Sequence, residues 1–349
     1  MFTGLGLAPL VLIFAAAAAA VWLAGIQLSN STDSLELRLG LGEALGGVLL
    51  LAVATNLPEI AITSSAALAH NLGIAIGNIL GGIAIQTVVL VALDVAMGPE
   101  SALTTRAASL VLVLESMLVV VVLAISVMGA QLPSSQGRFE PAAIVIALTW
   151  LVGVWLINRA RTGLPWHDSS GNAPGAQARP RGHSKAVMAE KMSLARAAVI
   201  FTLAGVVTLG AGVVLERSGE RIASHVGLSG VVFGATILAG ATALPELSTG
   251  IRSVRLGDYQ LAVSDIFGGN AFLPVLFLAA TLLSGSAVLP QAQPTDVYLT
   301  ALGIVLTVVY AWGLITRPHR QIMRMGTASL VVLALYIAGI AGLFAVANH

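Results

Sequence analysis

Residues 46–62 read GGVLLLAVATNLPEIAI, and residues 233–249 read FGATILAGATALPELST. In each, a proline and a glutamate stand side by side deep in an apolar run: Pro58 with Glu59, and Pro245 with Glu246. Proline has no N–H, so Pro58 deprives the carbonyl of Ala54 of its helical donor, and Pro245 does the same to Ala241. In lipid such a break survives only where protein or a watery cavity satisfies the freed oxygen. The glutamates are themselves costly at this depth, and an ionisable side chain inside a membrane span marks a functional site by default.

The two stretches are copies. Shifting the chain by 187 residues lays 24–86 on 211–273 without a gap, with 19 of 63 positions identical. Ala and Leu matches mean little between apolar segments. Gly25/Gly212, Gly40/Gly227, Gly47/Gly234, Thr55/Thr242, Pro58/Pro245, Glu59/Glu246, Gly81/Gly268 and Gly82/Gly269 mean more, because T-x-L-P-E is followed at a fixed distance by Gly-Gly.

Composition sets the environment. Of 349 residues, 57% are hydrophobic and 9% charged, and the mean hydropathy is +0.94. Soluble domains carry about a quarter charged residues, so a soluble globular protein is excluded, as is intrinsic disorder. A net charge of +1 gives nucleic-acid binding no support. Without cysteine there is no disulfide, thiolate metal site or thiol nucleophile. A spanning helix needs roughly 20 apolar residues. Ten runs qualify, near 6–28, 41–69, 72–97, 106–130, 141–158, 195–215, 228–251, 259–286, 295–316 and 326–347. The first contains FAAAAAAVWLAG, but no Lys or Arg precedes it and it is too long for a cleaved signal. The runs lack the alternation of a membrane barrel.

The expected fold is therefore all-α and polytopic, with ten transmembrane helices as two five-helix repeats. The first repeat covers 1–158 and the second 193–349, joined by a basic, Pro- and Gly-containing linker at 159–192. An odd number of spans per copy inverts the second relative to the first, and inverted repeats build transporters with a site near the midplane. Placing the linker in the cytoplasm puts every Lys and Arg except Arg138, Arg217 and Arg221 on that side. The positive-inside rule then sets both termini outside, in a bacterial inner membrane.

Two carboxylates with nearby hydroxyl, amide and carbonyl oxygens suit a hard cation. Glu59 and Glu246 together balance one Ca²⁺, which prefers six to eight oxygens in a flexible arrangement. Thr55 and Asn56 lie about one turn before Glu59, and Thr242 stands likewise before Glu246. Released from Ca²⁺, the pair must be compensated by Na⁺ or protons, which is the physical root of exchange. Asn78, Gly82 and Gln86 recur every four residues and share one helix face; Asp265, Gly269 and Leu273 are their counterparts. Gly81 and Gly268 are expected to permit close helix packing. Asp94 and Glu115 also lie in apolar runs, without acidic partners in the repeat. The six histidines fall at span ends, in loops or at the C-terminus and form no cluster.

These segments resemble the alpha-repeats of the cation/Ca²⁺ exchanger superfamily, which contains the sodium/calcium exchangers. The family pattern is roughly G-T-S-x-P-E, then G-N-x-x-G-S-N-x-x-N/D. Here the repeats, at about 40–90 and 227–277, carry A-T-N-L-P-E with G-N-I-L-G-G-I-A-I-Q, and A-T-A-L-P-E with S-D-I-F-G-G-N-A-F-L. The resemblance implies that Glu59 and Glu246 are the central Ca²⁺ ligands and that Thr55 and Thr242 supply ligating oxygens. It further implies that the backbone carbonyls of Ala52 and Ala239 serve Na⁺. Asn56 and Ala243 replace serines, as do Gly82 and Gly269. Gln86 replaces an Asn, and Leu273 an Asn or Asp. Hydroxyls and one carboxyl are thus missing from the sites used by Na⁺. Asn56, three residues before Glu59, also resembles the G-N-x-x-E pattern of proton-coupled members. Asp265, roughly 12 Å along the helix from Leu273, is a candidate replacement acid.

The expected activity is secondary active exchange of Ca²⁺ for Na⁺ across a lipid bilayer by alternating access, with no cofactor and no enzymatic reaction. The first and sixth spans are similar to the family's sliding gate pair. H⁺-coupled exchange and a degenerate, non-transporting ion-binding protein are the alternatives. An intramembrane hydrolase would need a nucleophile with a base, or a motif such as H-E-x-x-H, and the chain has neither. A channel fits two inverted glutamates less well than alternating access does.

Overall fold

The computed structural model describes Phe2 and residues 4–39, 51–99, 101–133, 139–162, 193–318 and 320–347. In chain order the helices are α1 (Leu7–Leu39), α2 (Leu51–Thr55), α3 (Leu57–Leu68), α4 (Leu72–Met97), α5 (Leu103–Arg106), α6 (Leu110–Ala130) and α7 (Pro141–Thr162). They continue as α8 (Leu194–Val226), α9 (Gly230–Thr242), α10 (Leu244–Arg255), α11 (Tyr259–Ser284), α12 (Pro294–Thr316) and α13 (Thr327–Ala347). A π turn at Gly234–Leu238 interrupts α9, and a 3₁₀ turn at Leu273–Val275 interrupts α11. A short antiparallel pair, Gln321–Ile322 with Met325–Gly326, precedes α13.

Among the described residues, eight helices are long and apolar enough to cross a membrane. The pair α9 and α10, bent by 42°, makes a ninth if counted as one span. Of the expected span at 41–69, residues 41–50 lie outside the described residues, which leaves α2 and the apolar helix Leu57–Leu68. The 159–192 linker lies almost wholly outside them as well.

Two helices run further than hydropathy foretells. The first span was expected at 6–28 and the sixth at 195–215, whereas α1 and α8 reach Leu39 and Val226. Hydropathy marks the slab that lipid covers, not the helix end. The continuation of α8 through Glu216, Arg217, Glu220 and Arg221 stops at Gly227, whose left-handed φ of 70° ends the helix without a Cβ penalty.

Element bounds repeat at the 187-residue shift: α1 falls on α8, α3 on α10 and α4 on α11. Neighbours exchange in the same way. α3 packs on α8 as α10 packs on α1, α4 meets α12 as α11 meets α6, and α6 with α7 matches α12 with α13. The main core lies between α4, α6, α11 and α12, around Ile79, Ile83, Leu123, Phe267, Leu306 and Tyr310. A separate cluster, including Leu10, Val21, Ile62, Leu215 and Phe233, joins α1 and α8 to the rest. Most of α4 and α11 is enclosed, while α1, α7, α8 and α13 turn much of their surface outward. Leu12, Leu148, Trp155, Leu203, Val206, Trp312 and Ile337 are exposed, as contact with lipid tails requires.

Candidate ion-binding site

The broken helices create the site. The chain leaves helical geometry for one residue at Asn56 (φ −90°, ψ 13°) and at Ala243 (φ −79°, ψ −2°). Proline tolerates the first turn of a helix, where its missing N–H is no loss. Pro58 and Pro245 therefore stand at the second positions of α3 and α10, and Glu59 and Glu246 fall in the first turns. Helix N-termini carry partial positive charge and favour anions there.

Both glutamates are enclosed, at 0% and 2% exposure. None of their four carboxylate oxygens receives a hydrogen bond from a described residue. The Thr242 hydroxyl lies beside the Glu59 carboxyl, but it donates to the carbonyl of Ala239 at 3.2 Å. Glu246 lies within electrostatic reach of Glu59 and, next, of Asp265. Buried polar groups nearly always find partners, so two enclosed carboxylates with bare oxygens call for a cation or a proton. Thr55 and Asn56 are buried beside them. Ala239 O already accepts from Ala243 N at 3.0 Å as well as from Thr242, so serving an ion would require Thr242 to turn away. Ala52 lies on α2.

The second wall is formed by α4 and α11. Asn78 and Gln86 are buried, and neither atom of either amide has a partner among the described residues. The two helices touch at matching points of the repeat. Asn270 Nδ2 donates to the carbonyl of its own counterpart Ile83 at 3.4 Å and to Thr87 Oγ1 at 3.2 Å. On either side, a Cβ added at Gly82 would meet Leu273 Cδ1 at 3.3 Å, and one added at Gly269 would meet Asn56 Nδ2 at 3.1 Å and Gln86 Oε1 at 3.4 Å. Asn270 was not singled out in the sequence. Its signal was the polar residue that follows the second Gly-Gly where the first is followed by Ile83.

Gly81 gives the expected close packing, since any Cβ there would strike the backbone of Ala235 on α9. For Gly268, no described atom lies within 4 Å of such a Cβ. The long helices α1 and α8 also approach through glycine. A Cβ at Gly25 of α1 would lie 2.5 Å from Pro245 Cβ, and one at Gly212 of α8 would lie 2.6 Å from Ala61 Cβ and 3.2 Å from Pro58 O. Trp22 Nε1 donates to Ser248 Oγ, two residues past Glu246.

The other membrane acids separate. Asp265 is half-buried and accepts from Thr249 Oγ1 at 3.3 Å. Glu115 of α6 accepts from Ser264 Oγ of α11 at 2.9 Å, beside Asp265. Asp94 faces no site: it accepts from Leu103 N and Gly326 N, each at 2.6 Å. Among the described residues, no group of three or more His, Asp or Glu side chains is arranged to hold a metal ion. The candidate site is instead two acids among neutral oxygens.

Known proteins give this geometry a family. Residues 9–157 and 196–345 match the family described as sodium/calcium exchanger protein. Inner membrane protein YrbG of Escherichia coli is 26% identical over 301 residues, covering 84% of this chain and 86% of that protein. The H⁺/Ca²⁺ exchanger CAX shares the fold at a TM-score of 0.63 and 14% identity, over 97% of this chain and 88% of its own. The sodium-calcium exchanger NCX_Mj, soaked with Na⁺ and Sr²⁺, does so at 0.60 and 16%, over 96% and 99%. With its apolar helices turned outward and its paired P-E motifs enclosed, the chain is an integral membrane protein that belongs to the sodium/calcium exchanger family.

Proposed function

We propose that the protein is a secondary active antiporter that exchanges Ca²⁺ for Na⁺ by alternating access, with Glu59 and Glu246 as the central ion ligands. The observation that carries this is the pair of enclosed glutamates whose oxygens no described residue meets. Two such charges match one divalent ion. Thr55, Thr242, Asn56, Asn78 and Gln86, with the carbonyls of Ala52 and Ala239, supply further oxygens of the hard-ligand type, and Asp265 adds charge at the edge. Two inverted five-helix repeats, 1–158 and 193–349, would place these groups at the midplane. Both termini would lie outside and the 159–192 linker in the cytoplasm of a bacterium. The α1–α8 pair would move against the main core, its glycines at 25 and 212 sliding over the prolines of the P-E motifs.

Proton coupling is the second reading, favoured by Gly82 and Gly269, which bring no hydroxyl to the flanks of the site. Ca²⁺ uptake into proteoliposomes, with Na⁺ and pH gradients imposed separately and Glu59→Gln as control, decides between them. Uptake driven by a Na⁺ gradient alone supports the first reading, and uptake driven only by a pH gradient supports the second. Ca²⁺ binding without uptake under either gradient would make the protein a non-transporting ion binder.

A further inference from the structure

The flanks of the central glutamates use the same positions of the repeat and are chemically opposite. On one, Gly269 faces Asn56 and Gln86, with the Asn56 Nδ2, Gln86 Oε1 and Asn56 Oδ1 atoms 3.1, 3.4 and 3.6 Å from where a Cβ would stand. The 187-residue shift converts that trio into Gly82, Ala243 and Leu273. There the space beside the glycine is filled by Leu273 Cδ1 at 3.3 Å. Each glycine is thus tied to its neighbours, since a side chain at 269 would press on amides and one at 82 on a leucine.

The difference bears on ions. Gln86 is 1% exposed and neither of its amide atoms has a partner among the described residues. A buried amide left unmet costs the full desolvation of its polar atoms unless something else satisfies them. Its carbonyl oxygen is a hard, neutral donor suited to an alkali cation, and an amide does not titrate near neutral pH. Leu273, at 0% exposure, offers no oxygen, and neither does the side chain of Ala243.

We propose that a monovalent counter-ion binds on the Asn56–Gln86 flank only, that the Gly82–Leu273 flank binds none, and that exchange therefore moves no net charge. This rests on the Ca²⁺ antiport reading. A site that releases Ca²⁺ keeps two glutamate charges, which one ion on the polar flank and one between the glutamates balance. A third monovalent ion would find no side-chain oxygen at Gly82, Ala243 or Leu273 to receive it.

The test is Na⁺-driven Ca²⁺ uptake by the full chain in proteoliposomes, with the membrane potential clamped by K⁺ and valinomycin. Uptake insensitive to potential is expected, with a Hill coefficient for Na⁺ of about two or less. Gln86→Leu copies the closed flank onto the polar one. It should raise the half-saturating Na⁺ concentration about tenfold, a larger factor than the loss of Ca²⁺ affinity measured by calorimetry on the purified protein. Leu273→Gln places an amide on the closed flank and should make uptake depend on potential. Potential-dependent uptake by the unaltered chain would overturn the proposal. So would an unmoved Na⁺ dependence in Gln86→Leu with Ca²⁺ binding retained. Uptake driven by pH alone would also overturn it, while leaving Ca²⁺ antiport standing in its proton-coupled form. Absence of both Ca²⁺ binding and uptake in the unaltered chain would instead remove the antiport reading, and this proposal with it.

Discussion

Asp94 and Glu140 are as deeply enclosed as Glu59 and Glu246, yet the two pairs meet opposite surroundings. Asp94 accepts two backbone N–H groups, from Leu103 and Gly326. Glu140 accepts Val288 N at 3.1 Å, Leu289 N at 2.7 Å and the Thr281 hydroxyl. The central glutamates accept no hydrogen bond from any described residue. Burial alone therefore does not mark an ion site; the hydrogen-bond account of the oxygens does. The shift of 187 residues adds a second contrast. It carries Asp94 onto Thr281 and Glu140 onto Thr327, so each of these acids has a threonine, not an acid, as its counterpart. A structural clamp needs a single acid, which can stand on either side. A site that must balance a divalent ion needs its acid on both.

The largest effect should come from neutralising a central acid. Glu59→Gln or Glu246→Gln should weaken Ca²⁺ binding by about a hundredfold or more, near 2.7 kcal/mol. Thermal stability in detergent should hold or rise, because an enclosed, unmet charge is removed. If the melting temperature instead fell along with Ca²⁺ affinity, the distinction between the two pairs would collapse.

The clamps should behave the other way. Glu140→Gln keeps one acceptor but sets an NH₂ group against backbone donors, leaving at least one buried N–H unmet. A loss of about 1–3 kcal/mol follows from such an orphan, with Ca²⁺ affinity in the surviving folded protein unchanged. Asp94→Asn should follow the same pattern. Unfolding curves paired with calorimetry on each variant check both halves of the statement.

Between these extremes lies the proposed sliding contact of α1. Gly25→Ala would drive a methyl group into Pro245, stiffening the contact over which α1 is proposed to slide. Turnover should fall about tenfold while equilibrium Ca²⁺ affinity stays near that of the unaltered chain. An equal loss of both would make Gly25 a packing residue of the site rather than a bearing for movement.

How much of this was readable without coordinates depends on what each residue does alone. Pro58 and Pro245 announce their breaks because a missing N–H acts wherever it falls. The paired glutamates stand out because charge in an apolar run is expensive by itself. The partners of Asp94 and Glu140 were invisible, since Gly326 and Leu289 act through backbone N–H groups that no side chain reports. The true lengths of α1 and α8 were hidden for a related reason: helix continues past the apolar slab on residues that hydropathy scores as ends. Asn270 was legible only as the odd member of a matched pair, and its role appeared once Ile83 was seen across from it.

Asp265 should give the smallest effect of the residues compared. It matches Asn78 in the other half, so the repeat itself shows that a neutral amide is compatible with this position. The residue is half-buried and its Oδ2 already accepts from Thr249, which leaves it less to offer an ion than the two central carboxylates. Yet it lies within electrostatic reach of Glu246, where a unit charge across partly screened medium is worth on the order of 1 kcal/mol. Asp265→Asn should therefore lower Ca²⁺ affinity about three- to fivefold with transport retained. The effect should shrink as ionic strength rises, because solvent and salt reach the half-buried acid. Transport and affinity unchanged at every pH and salt concentration would place Asp265 with the clamps rather than with the site.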